Sequence, residues 1–430
     1  MAARRWKLLR NYSMSLILNT KKSGAAPLEG RDRLWTLPYV LVCLASFLTS
    51  FSFFLLVPTL PFYLVKVLGV GQEMVGALLS CYVVAVLCVR PFAGCVADIF
   101  PRKRVYEISY LLFAVAFIGY LGFASSVVTF VVLRVFHGFA FGALTTTANT
   151  LVIDIMPSSR RGEGLGYYGV MNNLAMAFGP MTGLFIISSD NFTLLFAVAL
   201  ATVVLGFILA MAVQTPKKKP LEREKSTSVI SLDRFFLISG IPACVAMMLI
   251  AVPYGITTSY MAVYAEEVGL TVNSGLFFTV MAFGLIVSRL HSGKMVDRGY
   301  ITQTISVGMF IALFGVVGET LLDAVAARSV EVANVLYFAS ALFMGYGYGT
   351  IFPAFNTLFV NLAPNSRRAT ANATYLTGWD VGIGFGMLMG GALSAGGFKI
   401  CFAVGLLMLF VALLFFVFCV TRHFNAHRVR

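Results

Sequence analysis

Twelve long apolar runs follow one another along the chain, separated by short polar segments. A helix needs roughly 20 apolar residues to cross the hydrocarbon of a bilayer, and each run is about that length. The runs are continuously apolar rather than alternating, so they predict membrane helices and exclude the strands of a membrane barrel. The predicted spans are residues 35–60, 72–93, 105–124, 127–153, 164–187, 192–213, 234–262, 272–292, 300–322, 331–358, 369–393 and 398–421.

The second half of the chain repeats the first. Residues 137–161 match residues 344–368 at an offset of 207, and the match continues from an apolar run into a charged loop. A second match at an offset of 199 pairs Arg90, Gly94 and Asp98 with Arg289, Gly293 and Asp297. Internal repeats of this length are typical of secondary transporters. We therefore predict an all-α membrane protein whose twelve transmembrane helices form two pseudo-symmetric six-helix bundles.

Charge placement decides the topology. Hydrophobic residues make up 59% of the chain and charged residues 12%, which excludes a soluble domain of 430 residues. Of the 32 Lys and Arg residues behind the net charge of +14, one set of loops and tails holds 26 and the opposite set only three. This asymmetry indicates topology rather than nucleic-acid binding. The positive-inside rule predicts a multi-pass protein of the plasma (bacterial inner) membrane with both termini cytoplasmic.

The longest polar stretch between spans, residues 214–233, separates the two sets of six. Its prolines and alternating charges favour a flexible cytoplasmic linker. We expect the remaining parts to be a basic cytoplasmic tail (1–34), an N-terminal bundle (35–213), a C-terminal bundle (234–422) and a short cytoplasmic tail (423–430).

Several function classes are excluded. The connections are too short for a catalytic domain, and no G-x-x-x-x-G-K-[ST] sequence exists that would indicate ATP hydrolysis. The seven cysteines have no partner histidines, which favours packing over metal binding. We expect no enzyme activity, no cofactor and no metal. The predicted partners are a small-molecule substrate, protons and the lipid bilayer, with the chain acting as a monomer.

Ionisable residues deep inside the spans are the candidates for chemistry. Arg134 stands eight residues past Ser126, about 12 Å into the fourth span. Asp380 stands twelve residues past Arg368, about 18 Å into the eleventh span. A charge at a helix centre costs on the order of 2.5–3.5 kcal/mol, so both are expected to face the protein interior or a wet cavity. A structural ion pair or hydrogen bond is the alternative for each.

Asp380 is the candidate proton carrier, because a carboxyl group in a poorly hydrated site can exchange protons near neutral pH. Arg134 cannot deprotonate, but it can steer a neighbouring acid or hold an anionic substrate. His137 lies one turn further on nearly the same face and can titrate, with a hydrogen-bonded packing role as the alternative. Glu319 lies nearer a predicted span end, where loop contacts would explain it.

Uncharged polar and aromatic side chains within the spans are predicted to line a substrate cavity between the halves. They are Asn149, Asn172, Asn173, Tyr254, Thr257, Asn356, Tyr375 and Trp379. Asn173 occupies the repeat position of Asp380, which supports a pseudo-symmetric pair of sites. This mixture of aromatics with few charges suits a neutral or amphipathic organic solute better than an inorganic ion. Ordinary hydrogen bonding between helices is the alternative for each residue.

The loop after the second span carries a specific motif. It reads Gly94-Cys-Val-Ala-Asp98-Ile-Phe-Pro101-Arg102-Lys103-Arg104. It resembles the signature G-x-x-x-D-[RK]-x-G-[RK]-[RK] of the major facilitator superfamily, and the resemblance covers residues 35–422. The resemblance implies that Gly94, Asp98 and Arg102 act in gating between the bundles, with Asp154 as the partner of Arg102. The second copy keeps Gly293 and Asp297.

Two further motifs resemble the same family. Arg134-x-x-His137-Gly138 is similar to the R-x-x-Q-G signature that the family links to proton transfer. Gly179-Pro180-x-x-Gly183 is similar to the core of the antiporter signature. The resemblance implies a proton-coupled exporter that works by alternating access. Proton-coupled uptake of a sugar or organic acid is the alternative within transport, and a non-transporting receptor on the same scaffold is the alternative from another class.

Overall fold

The structure, a computed structural model, describes residues 33–157, 160–215, 236–364 and 368–429. These residues are almost entirely helical, and none of them forms a strand. The helices are α1 (Leu37–Leu56), α2 (Leu60–Lys66), α3 (Gln72–Ile99), α4 (Arg102–Phe123), α5 (Val127–Ile155), α6 (Arg161–Ile187), α7 (Phe192–Ala212), α8 (Ile241–Glu267), α9 (Gly275–Asp297), α10 (Ile301–Ala326), α11 (Val330–Leu362), α12 (Arg368–Ser394), α13 (Phe398–Phe415) and α14 (Thr421–His427).

The first and last spans are each made of two helices. In the first span, α1 and α2 meet at a short turn that contains Pro58, because proline has no backbone N–H to continue the helix. In the last span, a π-helical turn at Phe416–Val420 joins α13 to α14. The described residues therefore form twelve membrane-length segments, as the apolar pattern predicts. The differences lie at the ends of the segments. For example, α3, α8, α9, α10 and α11 each run four to six residues past the predicted span.

Eleven segments in the described residues are long and apolar enough to cross a membrane. The twelfth segment, α12, is 27 residues long but more polar. It carries three threonines, one asparagine, several glycines and Asp380. Since α12 packs against both α8 and α3, its polar residues can lie against protein instead of lipid.

The helices form two bundles, α1 to α7 and α8 to α14, which contact each other mainly along two helix pairs. These pairs are α3 with α12 and α6 with α9. In the sequence repeat α3 corresponds to α9 and α12 to α6, so exchanging the halves turns one pair into the other. The contacts therefore have the pseudo-twofold relation that the repeat predicts. We call these two pairs the seam.

The glycine contacts repeat between the bundles as well. The equivalent pairs are Gly138 with Tyr82 and Gly345 with Met281, then Gly142 with Val86 and Gly349 with Leu285. Each glycine lies against the backbone of the neighbouring helix, where a Cβ would collide with it. Small residues at such contacts let membrane helices approach closely. The repeat is therefore conserved at the level of helix packing and not only of sequence.

We call the end of the bundles that carries Arg102, Arg160, Lys294 and Arg298 the basic end, and the other the opposite end. Close contacts across the seam lie near the opposite end. A Cβ on Gly76 of α3 would lie 2.8 Å from the carbonyl oxygen of Leu388 in α12. The equivalent contact is at Gly275 of α9, where an added Cβ would lie 3.2 Å from the carbonyl oxygen of Met181 in α6.

The predicted cytoplasmic tail and linker fall largely on residues 1–32 and 216–235, which lie outside the described residues. Their boundaries, and the cytoplasmic orientation of the termini, stay predictions.

Candidate functional site

The seam contains a buried ion pair between the two bundles. Arg90 of α3 and Asp380 of α12 approach to 2.6 Å between Nη1 and Oδ2, and each side chain is about one-fifth exposed (20% and 19%). Neither atom has a directed hydrogen bond, so this is a charge contact. Arg90 lies nine residues inside the end of α3 at Ile99, about 14 Å from that end. The pair therefore links the bundles at mid-membrane depth.

Arg134 is buried inside α5 and does not contact Asp380. It is 2% exposed, and its Nη2 donates to the carbonyl oxygen of Leu79 at 3.4 Å. Its guanidinium lies over the Tyr82 ring, 4.8 Å from the centroid, a favourable cation–π arrangement. No carboxylate of the described residues lies within ion-pair distance of Arg134. Arg90, rather than Arg134, is the partner of Asp380.

His137 lies in an aromatic cage one turn from Arg134. Its side chain is fully buried, and its Nδ1 lies 3.3 Å from the Tyr120 hydroxyl. The rings around it belong to Phe53, Tyr82, Phe113, Phe117 and Tyr120. Its Nε2 is buried and has no hydrogen-bond partner among the described residues. A buried ring nitrogen without a partner makes His137 more than an ordinary packing residue.

Tyr82 connects this cage to the ion pair. It stacks on Phe53, lies under Arg134, and precedes Arg90 on the same helix by about two turns. Since Tyr82 is on α3 with Arg90, a movement of that helix relative to α12 would change both environments together. The structure thus brings Arg134, His137 and Asp380 into one region, although not into direct contact.

The residues predicted to line a cavity divide into two groups. Asn172 and Asn356 are exposed, while Asn149, Asn173 and Trp379 are half-buried. Asn172 is held by a hydrogen bond from Ser50 of α1. Asn173 Nδ2 has no partner among the described residues.

The other predicted cavity residues are buried in the C-terminal bundle. Tyr254 is 2% exposed, contacts Met176 across the seam and packs against Trp379 at 4.8 Å between ring centroids. Tyr375 is buried against Phe359. Thr257 does not face the space between the bundles, because its side chain is fully buried within its own bundle, against Glu319.

Glu319 was not predicted as a site residue, although the structure places it inside the C-terminal bundle. It is fully buried, its Oε2 accepts a hydrogen bond from Thr257 Oγ1 at 2.9 Å, and its Oε1 has no partner among the described residues. The prediction that loop contacts explain it is wrong, because α10 continues to Ala326 and places Glu319 about 10 Å inside the helix. A buried carboxyl with one partner is a candidate for proton handling.

Replacing Thr257 with valine is expected to destabilise the protein by about 1–3 kcal/mol, because it leaves a buried carboxyl without its donor. Thermal unfolding of the purified protein measures the change. Thr258→Val is the matched control, since the Thr258 hydroxyl donates only to backbone carbonyls of its own helix. Equal stability losses in the two variants would mean that the Thr257–Glu319 hydrogen bond contributes nothing specific.

At the basic end, Arg102 donates to Asp154 with 2.8 Å between Nη1 and Oδ2. The pairing that the motif implied is therefore present, within the N-terminal bundle. Gly94 and Gly293 lie in α3 and α9, and a Cβ on Gly293 would meet nothing within 4 Å. The side chains of Asp98 and Asp297 lie outside the described part of the structure, so their gating role stays a prediction.

The Gly179-Pro180-x-x-Gly183 segment lies inside α6 where that helix crosses α1. A Cβ on Gly179 would lie 2.9 Å from Phe54 Cβ, and one on Gly183 would meet the Leu55 carbonyl. Both glycines therefore allow close packing of α6 on α1. Pro180 removes one helix hydrogen bond between them.

Replacing Gly183 with leucine is expected to separate α6 from α1 and lower the free energy of unfolding by about 1–3 kcal/mol, the usual cost of overpacking. The control is Gly166→Leu on the same helix, because a Cβ there meets nothing within 4 Å. Melting temperatures of the two variants in detergent provide the measurement. A melting point for Gly183→Leu as high as that of the control would contradict the close contact.

Two repeated bundles of membrane-length helices, joined along a seam with a central ion pair, define a multi-pass membrane transporter and not an enzyme. The sequence profile of the Major Facilitator Superfamily matches residues 42–327 and 324–429. The chain belongs to this family, which confirms the resemblance found in its motifs.

Curated relatives and solved structures agree with this assignment. The staphylopine export protein of Staphylococcus aureus is 24% identical over 81% of this chain and 88% of that protein. Quinolone resistance protein NorA of S. aureus is 26% identical over 81% and 87%. Multidrug resistance protein MdtG of a Rahnella species is 26% identical over 86% and 90%.

Two solved structures share the fold. A bacterial homologue of the lysosomal transporter Spinster superposes with a TM-score of 0.73, at 15% identity, over 93% of this chain and 100% of that chain. The nucleoside transporter NupG gives a TM-score of 0.69, at 15% identity, over 88% and 99%. The predicted fold class is thus confirmed.

Proposed function

We propose that this transporter exports a small organic or amphipathic solute in exchange for protons, by alternating access to a site at the seam. The observation that carries the proposal is the ion pair between Arg90 and Asp380, which joins the bundles at mid-depth. The relatives named as an export protein and as resistance proteins favour export over uptake.

A proton that reaches Asp380 neutralises the carboxylate and removes its attraction to Arg90. The contact between α3 and α12 is then weakened at this depth, and the bundles can rock about the seam. Loss of the proton restores the pair and favours the arrangement seen here. Because a ligand shifts a conformational equilibrium only through its different affinity for the two states, the proton must bind one arrangement better. Breaking the ion pair supplies that difference.

Arg134 and His137 are proposed to modulate this step through Tyr82. The Tyr82 ring lies under the Arg134 guanidinium, and Tyr82 is on α3 with Arg90. A shift of α3 would therefore alter the cage around His137 when the pair opens. Asn172 and Asn356 are proposed to face the solute from the two bundles.

The proposed orientation of the protein in the membrane follows from its Lys and Arg residues. The basic end is proposed to face the cytoplasm of a plasma membrane, as the positive-inside rule predicts. The glycine contacts of Gly76 and Gly275 pack the seam near the opposite end. This arrangement is then suited to receive the solute from the cytoplasm.

Proteoliposomes with an imposed proton gradient test the proposal. A panel of neutral aromatic compounds, permanently charged ammonium compounds and carboxylates is supplied, and protein-free liposomes correct for passive distribution. An antiporter accumulates its solute in the acidic compartment, because protons leave that compartment as the solute enters. Accumulation in the alkaline compartment would indicate uptake by symport, and transport that ignores the gradient would contradict proton coupling.

A further inference from the structure

Arg289 is a third intramembrane arginine, and the ion pair does not use it. It lies in α9, eight residues before the helix end at Asp297 and so about 12 Å inside that end. Its side chain is half-buried, and its Nε is buried without a hydrogen-bond partner. No carboxylate of the described chain lies within ion-pair distance of it.

The repeat explains why this arginine has no partner. Arg289 is the repeat equivalent of Arg90, at an offset of 199. Asn173 is the repeat equivalent of Asp380, at an offset of 207. The Gly76 and Gly275 contacts place the two helix pairs in the same register. Arg90 faces the carboxylate of Asp380. By the same register, the position expected to face Arg289 is the amide of Asn173.

The chemistry of the site selects its ligand. A guanidinium at membrane depth is costly unless an anion compensates it, and its planar fork matches a carboxylate in a bidentate arrangement. The amide of Asn173, whose Nδ2 also has no partner, can donate a further hydrogen bond. The Arg289 side chain is only half-buried, so part of it is not covered by the protein.

We propose that Arg289, assisted by Asn173, binds a carboxylate group of the transported solute, so that the solute supplies the anion which Asp380 supplies on the other side of the seam. The proposal rests on the transport function proposed above. It assigns the solute to the organic carboxylates and places the carboxylate at the α6–α9 side of the seam.

Binding to the purified protein in detergent tests the site without requiring transport. The probes are benzoate, 1-naphthoate and succinate, each compared at constant ionic strength with its neutral amide, and the readout is the ligand-induced rise in melting temperature. We expect at least one carboxylate to stabilise the wild-type protein and its amide not to do so. Arg289→Gln should weaken that binding by about tenfold or more, and Arg289→Lys should weaken it less.

Asn173→Asp provides a second variant that keeps the native arginine. It recreates the arginine–carboxylate pair of the other side, so it should compete with the probe and remove the stabilisation. Lys399→Gln is the control, because Lys399 is exposed at the opposite end. No difference between carboxylates and amides, or the same difference in Arg289→Gln and Asn173→Asp as in the wild type, would overturn the proposal. If carboxylates bind through Arg289 but no gradient drives transport, the site stands and the proposed function fails.

Discussion

Replacing Asp380 with asparagine is expected to reduce proton-driven transport to background. The amide is neutral, as a protonated carboxyl would be, so it cannot form the ion pair with Arg90 or carry a proton through the cycle. Exchange of labelled for unlabelled solute, which requires no net proton movement, should persist. Solute uptake into proteoliposomes, with and without an imposed proton gradient, measures both activities.

The control for this prediction is Asp323→Asn. Asp323 lies 3.8 Å from Lys399, and both side chains are about half exposed, so this pair contributes little. Its loss should leave coupling unchanged. Gradient-driven transport that persists in Asp380→Asn would show that Asp380 has a structural role and that the proton site lies elsewhere, with Glu319 as the next candidate.

Replacing Gly76 with leucine is expected to prevent closure of the opposite end. The backbone of α12 lies against Gly76, so a larger side chain there must force α3 and α12 apart. If overpacking destabilises the closed arrangement by about 1–3 kcal/mol, the ratio of closed to open conformations falls by roughly 5- to 150-fold. Transport should fall accordingly, while each bundle keeps its own packing. Transport rates and the melting temperature of the variant test the two parts of this prediction.

Ala77→Leu is the matched control, because Ala77 is the next residue on α3 and is exposed. It places the same leucine side chain on the outer face of the helix and should leave transport unchanged. If both variants transported as well as the wild type, the contact at Gly76 would not be part of the transport cycle.

The duplication of the sequence predicted most of the fold. Membrane helices are long, continuous and apolar because lipid offers no partner to the backbone, so their number can be read directly. The glycine pairs show that the sequence repeat extends to the contacts between helices. Gly142 with Val86 and Gly349 with Leu285 form the same close helix contact in each bundle. Because a larger side chain would not fit there, the same residue type occurs at both repeat positions.

The candidate site was predicted less completely because helix ends are hard to locate. Arg90, Arg289 and Glu319 were each placed near a predicted span end, where a charge can reach water. The helices continue past those ends, to Ile99, Asp297 and Ala326, because polar residues of the final turns are also helical. Counting from these true ends would have identified all three as intramembrane charges.

The partner of Asp380 could not be deduced from one bundle alone. Arg134 and Asp380 both lie deep inside long helices, but the depth of a residue does not fix which helices face each other. Arg90 becomes the partner because α3 and α12 meet at the seam, and this pairing connects residues that are 290 positions apart. Only the tertiary arrangement supplies that information.

Distances measured across both ends of the seam test alternating access most directly. Spin labels at Glu73 and Ala395 report on the opposite end, and labels at Phe100 and Tyr300 report on the basic end, since all four residues are exposed. On going from wild type to Asp380→Asn, or from high to low pH, we predict that the first distance lengthens while the second shortens. Distances that both stay fixed, or that change in the same direction, would contradict movement of the two bundles about a shared central site.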